Sequence, residues 1–374
     1  MGGKIIGSTI FMKTVNVPLK KNAYKIVIGR GILSGLGARL KPLKIGTDAA
    51  VVTSPVIRRH HGGALAAGLK KNGFSVKFFE VPEGEQSKSA KVAFPLMEQI
   101  ARHDSNKGIF IITFGGGVIG DLAGYVAASY KRGVPYVQVP TTFLAQIDSA
   151  IGGKVAIDLP VGKNLIGAFY QPKIVWSDVS VLSTLDKRQM RNGLAEAVKY
   201  GVIADKELFS YIARHYHRLL DLQPAALEHV VVRCSRIKAG VVTADEKETK
   251  GLRTILNFGH TVGHALEAAG GYNRYHHGEA VALGMRVAAE ISRQKGMLSA
   301  ADCKKLNGLL SDIGLPGKIK GVPLAGILRI MRHDKKFQKG RNRFVLAQKI
   351  GKVKVVTGVP SSVIQKAIRT YMRV

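Results

Sequence analysis

Along the first half of the chain, short apolar runs alternate with amphipathic or turn-rich segments. AYKIVIG, AAVVTS, FSVKFFEV, GIFIITF, YVQVP and KIVWSD each read as a strand, and the alternation with helical patterns predicts an α/β layer built on a mostly parallel sheet. After about Leu185 the period changes. KRQMRNGLAEAVKYGVI, HALEAAG, EAVALGMRVAAEISRQKG and AADCKKLNGLLSDIG carry helical spacing, RFVLAQKIGKVKVV reads as a small hairpin, and SSVIQKAIRTYMRV as a final helix. The expected organisation is an α/β domain over 1–185 and a mainly α-helical domain over 186–374, packed with a cleft between them. There is no internal repeat and no low-complexity linker.

Composition narrows the class. A chain of 374 residues with 46% hydrophobic content can bury the cores of two globular domains. No apolar run approaches the roughly 18 residues that span a bilayer, and MGGKIIGSTIFMKTV lacks a signal-peptide core and cleavage site, so a cytoplasmic protein with no membrane partner is expected. The two cysteines, Cys234 and Cys303, form no C-x-x-C pair and no disulfide framework. The net charge of +32 raises the question of nucleic acid, but Lys and Arg are scattered in short groups such as Lys20-Lys21 and Lys70-Lys71, and only 7% of residues are aromatic. A solvated basic surface that draws in an anionic substrate is the expectation, with no specific nucleic-acid partner.

Candidate chemistry lies in several stretches. In GIFIITFGGGVIGDLAG a buried strand runs into Gly115, Gly117 and Gly120, a G-x-G-x-x-G spacing that lets backbone lie against a pyrophosphate at a helix start; a tight structural turn would look the same. About twenty residues on stands Pro140, where the ordinary dinucleotide fingerprint has an acid. PTTFLAQIDSAIGGKVAIDLPVGKNLIGAF concentrates Asp148, Lys154, Lys163 and Asn164 among glycines, read as loops that, with Arg132, suit a phosphorylated polyhydroxy substrate. NGLAEAVKYG places Glu196 and Lys199 three apart on one apolar helix face, where a surface ion pair is the plain alternative. NFGHTVGHALE stacks His260 and His264 on one face, with Asn257 as the expected N-cap and Gly259 and Gly263 allowing a close neighbour. A buried, hydrogen-bonded pair is the plain alternative for these histidines. Thr261 and Val262 stand where H-E-x-x-H would need its glutamate, which excludes that protease mechanism. YHHGEAVALGM adds His276, His277 and Glu279, residue types suited to catalytic zinc.

Taken in order, GGGVIGDLAG, VPTTFLAQIDSAIGGK, GKNLIGAF, GLAEAVKYG, LNFGHTVGHALE and HGEAVALGM closely resemble the 3-dehydroquinate synthases of the shikimate pathway, over roughly Val81 to Lys336. The resemblance implies a nucleotide-binding α/β domain, a helical domain, NAD+, a divalent metal (zinc, with Co2+ possible) and a homodimer. It implies Glu196, His260 and His277 as metal ligands, and His264 as a proton-transfer residue. NAD+ would be held by Glu85 and Lys88 of EGEQSK, Gly116, Gly117, Val118, Asp121, Thr141, Thr142, Lys154, Lys163, and the backbone near Thr184 and Leu185. Asp148 and Lys199 would contact ring hydroxyls, Lys238 and Arg253 the carboxylate, and Lys154, Asn164, Asn257 and Lys336 the phosphate, with Arg132 reaching across the dimer. The family's active-site glutamate falls on Glu248, in a segment one residue longer than the usual pattern. The implied reaction converts 3-deoxy-D-arabino-heptulosonate 7-phosphate to 3-dehydroquinate and phosphate by transient oxidation, β-elimination, re-reduction and intramolecular aldol closure. The alternative is a related cyclase acting on sedoheptulose 7-phosphate, which lacks the carboxylate.

Overall fold

The computed structural model describes residues 12–104, 108–333 and 342–372. Its internal contacts divide the chain between Leu185 and Asp186, except that Leu227–Ala239 of one long helix counts with the first unit.

The first unit holds β1 (Met12–Val17), β2 (Tyr24–Gly29), β3 (Asp48–Thr53), β4 (Ser75–Glu80), β5 (Ile109–Gly115), β6 (Tyr136–Pro140), β7 (Lys154–Leu159), β8 (Gly162–Phe169) and β9 (Ile174–Asp178). Its sheet has the order β1-β2-β9-β6-β5-β3-β4, parallel throughout except for the β1–β2 pair. Each of the six apolar runs forms one of these strands. Strands β3, β5, β6 and β9 are buried along their whole length, as expected where both faces are covered. Val51, Phe110, Ile112, Val137 and Trp176 pack in one core, while Ala50, Val52, Ile109, Ile111 and Tyr136 pack with Ile119, Leu122 and Val126 in another. Ile111 and Ile112 fall in different cores because successive strand side chains point to opposite faces.

One expectation is corrected. The stretch read as loops between Pro140 and Phe169 is a short π-helical turn at Ala145–Ser149 followed by the antiparallel hairpin β7–β8. Polar and glycine residues hid its alternation. Lys154 therefore opens a strand, and Lys163 and Asn164 lie on its partner.

The second unit is mainly helical, with Lys187–Ala204, Lys206–Leu220, His260–Ala269, His277–Gln294, Ala300–Asp312 and Ser361–Thr370, plus the hairpin β10 (Arg343–Lys349) and β11 (Lys352–Thr357). Helix His277–Gln294 is buried from Ala280 to Ser292, with its neighbours packed around it. It meets helix His260–Ala269 through glycine: a Cβ on Gly284 would sit inside van der Waals contact with the Gly259 carbonyl, and one on Gly259 would lie 2.6 Å from Met285 Cγ. Among the described residues no helix is long and apolar enough to cross a membrane.

Candidate active site

Strand β5 ends at Gly115, and its parallel neighbour β6 ends at Pro140, so the residues that follow, Gly116–Val118 and Thr141–Thr142, meet at the carboxyl edge of the sheet. That edge is where open α/β sheets receive ligands. Helix Gly117–Ser129 starts there with no side chain capping its first turn. Its orphan amides and the positive end of its dipole are available to an anion. Gly116 has no room for a side chain, because a Cβ would lie 2.9 Å from Thr142 Cγ2.

A charged cluster stands beside this turn. Buried Lys88 donates to Asp121 at 2.8 Å and to the Asn164 side-chain oxygen, while Lys163 pairs with Glu85 at 3.2 Å. Asn164 takes a left-handed φ of 56° and anchors its own amide on Asp158. Burial works against the Lys88 charge, but Asp121, Glu85 and Asp158 outweigh it and raise its pKa. Burial also raises Asp121 against the pull of Lys88. Lys88 is buried, while the Asp121 side chain is partly exposed. Asn164 therefore touches Lys88, while Lys154 stands 5.9 Å over the Phe169 ring. Thr184 stands with its hydroxyl 2.9 Å from His61. Ser54 caps the turn after β3 and bonds to Glu83 at 3.0 Å. A further pair within this unit joins Lys238, on the long helix, to the carbonyl oxygen of Asp148 at 2.7 Å and to its carboxylate.

In the second unit, Glu196, His260 and His277 offer ligand atoms within 4.8 Å of one another. Glu196 and Lys199 are fully buried and in contact, so the surface ion pair is excluded. Glu196 Oε1 faces His260 Nε2 at 3.3 Å and His277 Nε2 at 3.2 Å, yet neither carboxylate oxygen has a well-aligned hydrogen bond. The other ring nitrogens are engaged: His260 Nδ1 stands 3.2 Å from the Phe258 carbonyl and His277 Nδ1 3.4 Å from Glu267. Acceptors on the δ side favour protons there, leaving two Nε2 lone pairs and a carboxylate converging on one point. Such a set calls for a cation and fits a divalent metal with mixed nitrogen and oxygen donors.

The charges agree. Burial opposes ionisation of Glu196, but Lys199 and His260 hold its pKa well below the usual carboxylate range. Burial lowers His260 despite Glu196, whereas the neighbouring carboxylates of Glu196 and Glu267 overcome burial at His277 and raise it to about 10. His264 is exposed on the same face, its ring centroid 5.2 Å from that of His260 and 6.1 Å from that of His277. Its nitrogen also belongs to a second possible donor set, His264, Glu267 and His277.

Two local expectations change. Asn257 ends the 3-10 turn Leu252–Asn257 and is not the N-cap; Gly259 is, at φ 82° with no side-chain cap, because a backbone that turns left there packs against Met285. Glu279 is withdrawn from metal ligation, since it accepts from the His276 amide at 2.9 Å and from Arg188 at 2.8 and 3.0 Å. Arg253 is buried and donates to the Glu246 carbonyl at 2.8 Å. Glu248 is half-buried at a left-handed φ of 57°, in the longer segment. Lys336 lies outside the described residues. Sequence reasoning missed two carboxylates. Glu267 carried a signal, three residues beyond His264 on the same helical face; Asp245, which accepts from the amides of Lys250 and Leu252 at 3.1 and 3.0 Å and so folds the loop before Arg253, carried none.

Residues 78–192 match the N-terminal part of the 3-dehydroquinate synthases, and residues 193–337 the C-terminal part. A 3-dehydroquinate synthase from Desulforamulus reducens is 44% identical over 93% of this chain and 97% of its own. Among solved structures, 2-deoxy-scyllo-inosose synthase complexed with carbaglucose-6-phosphate, NAD+ and Co2+ superposes with a TM-score of 0.87 at 26% identity, over 96% of this chain and 100% of its own. The 2-epi-5-epi-valiolone synthase of Streptomyces hygroscopicus subsp. jinggangensis, with NAD+ and Zn2+ bound, gives 0.86 at 26% identity, over 95% and 98%.

Proposed function

The chain belongs to the 3-dehydroquinate synthase family, and from that premise we propose that it converts 3-deoxy-D-arabino-heptulosonate 7-phosphate to 3-dehydroquinate and phosphate. The observation that carries the site reading is the convergence of a buried carboxylate with the Nε2 atoms of two imidazoles at Glu196, His260 and His277. These three would hold a divalent ion, with zinc the best match to the donors and Co2+ able to take the same set. Gly116, Gly117, Val118, Thr141, Thr142, Asp121, Lys88, Glu85, Lys163 and Lys154 would hold NAD+, with backbone near Thr184 and Leu185. Bound there, NAD+ would supply reversible hydride transfer and the ion would polarise the substrate hydroxyl.

The chain's own residues do the rest. Lys199 and Asp148 orient ring hydroxyls, and each is already held by a charged neighbour, Glu196 and Lys238 respectively. Arg253 and Lys238 read the carboxylate, favouring the heptulosonate over a substrate without that group. Lys154, Asn164, Asn257, Lys336 and Arg132 address the phosphate end. His264, exposed beside the metal set, moves protons, with Glu248 in support. A homodimer in the cytoplasm belongs to the same reading. The eight-residue strand β8 supports the dimer, being exposed at Leu165, Ile166 and Phe169, the kind of edge that proteins cover. Two buried free cysteines are in keeping with a reducing compartment.

The test is phosphate release from the heptulosonate phosphate, with and without chelator and added NAD+, beside sedoheptulose 7-phosphate. Release that needs metal and NAD+ and prefers the heptulosonate supports the reading. Faster cyclisation of the sedoheptulose phosphate would move the protein to the other cyclases.

A further inference from the structure

After helix Gly117–Ser129 the chain takes left-handed φ values at three consecutive residues: Lys131 at 48°, Arg132 at 62° and Gly133 at 121°. Only glycine accepts that region freely, so two adjacent side-chain-bearing residues there are strained and persist only where their surroundings hold them. The holding group is Asp104, at the end of helix Ala90–His103, with its side chain only 3% exposed. Its Oδ2 accepts from the Tyr130 hydroxyl at 3.0 Å and from the Lys131 ammonium at 2.5 Å, which pins the two residues that enter the turn. Burial and then the bond to Asp104 raise the Tyr130 hydroxyl to about 12, so it remains a donor across the working pH range. Gly133 closes the turn, its amide bonded to the Tyr130 carbonyl at 2.9 Å; a Cβ there would lie 3.2 Å from the Tyr170 hydroxyl. Between these fixed points Arg132 is exposed, and among the described residues its guanidinium has no acidic partner.

A strained turn clamped by a buried carboxylate, with an unpaired guanidinium at its tip, is a device for presenting that cation in one direction. We propose that Asp104 is a positioning residue, which acts on substrate binding by fixing the Tyr130–Gly133 turn and so aiming Arg132 at an anionic group of the substrate. The inference rests on the reading of Arg132 as a substrate contact, whether within one subunit or across a dimer. It adds the residue that makes the contact effective.

The test is a double-mutant cycle on KM and kcat with the heptulosonate phosphate. Arg132→Ala is expected to raise KM by about tenfold or more, the change that ~1.4 kcal/mol makes. Asp104→Ala is expected to raise KM several-fold in the unaltered background and by less than about twofold beside Arg132→Ala, because the residue it aims is gone. Asp104→Asn, which keeps an acceptor for Tyr130, recovers part of the loss. Should Asp104→Ala fold poorly, Tyr130→Phe removes only the hydroxyl and shows the same coupling at smaller size. Equal penalties in both backgrounds would make Asp104 a purely structural residue and overturn the proposal while the reaction stands. An unchanged KM in Arg132→Ala would also overturn it. Absence of phosphate release by the unaltered protein would instead overturn the functional reading, and the proposal with it.

Discussion

At the residue scale, the two histidines of NFGHTVGHALE have different surroundings despite sharing a helix face. His260 is buried, its δ nitrogen at a carbonyl and its ε nitrogen on Glu196, whereas His264 is exposed. Because His277 belongs to both possible donor sets, the ion's choice between them is open to experiment. His277→Ala is expected to remove the metal, about one ion per chain by elemental analysis, under either arrangement. His264→Ala separates them: if the ion sits on Glu196, metal content stays and turnover drops, typically by about 10²–10⁴-fold for a lost general acid or base. Loss of metal in that variant would place the ion on Glu267. The types and spacings of these residues were legible in the sequence, since helical periodicity alone puts residues four apart on one face. What was not legible was the use of each carboxylate. The sequence offered Glu279 as a carboxylate suited to zinc and Glu196 as the partner of Lys199, and the fold shows the first bound to Arg188 and a helix start and the second buried against imidazole.

At the scale of elements, strands and long helices were legible because apolar period survives any change of partner, and the six apolar runs all became strands. The hairpin β7–β8 was not, because β8 is exposed along nearly its whole length and has no inward face to leave a period of two. Helix contacts depend on residues with no period at all. Gly284→Ala should cost several kcal/mol, because the added methyl overlaps backbone that cannot step aside; denaturant unfolding checks this, and a change under ~0.5 kcal/mol would show the two helices can separate. The β1–β2 edge is tied to the long helix by Glu228, which meets Lys13 at 2.9 Å and Arg30 at 2.7 Å. Burial alone would raise that carboxyl, but the two cations outweigh it and lower its pKa. The sign follows: stabilisation is present above the ordinary value near 4.5 and disappears as pH falls through the lowered folded value. Glu228→Gln is therefore expected to cost about 1 kcal/mol at pH 7, with the gap between variant and parent closing toward pH 3. A gap that stays constant with pH would mean that packing, not charge, is lost.

At the scale of the whole molecule, 57 basic residues against 25 acidic leave +32, and this charge is carried mostly in water. The buried cations Lys88, Lys199 and Lys238 each face a carboxylate, and Arg253 is held by a carbonyl. An excess of that size cannot be needed to hold one substrate, because local contacts act within a few ångströms. It can act at a distance, however, by raising the concentration of an anion near the surface before any contact forms. The reach of that field is set by salt: about 10 Å at 0.1 M and about 3 Å at 1 M. For a substrate carrying both phosphate and carboxylate, kcat/KM is expected to fall about tenfold, the lower end of the roughly 10–10³ range of electrostatic steering, as sodium chloride rises from tens of millimolar to half molar. Steering acts on encounter, so kcat should hold nearly constant while KM takes the change. Anions competing for the phosphate contacts would produce a similar trend. The two are separated at matched ionic strength, where steering is blind to the identity of the salt while competition follows the anion's resemblance to phosphate. A kcat/KM that stays flat across the series would show that the surplus charge plays no part in substrate capture.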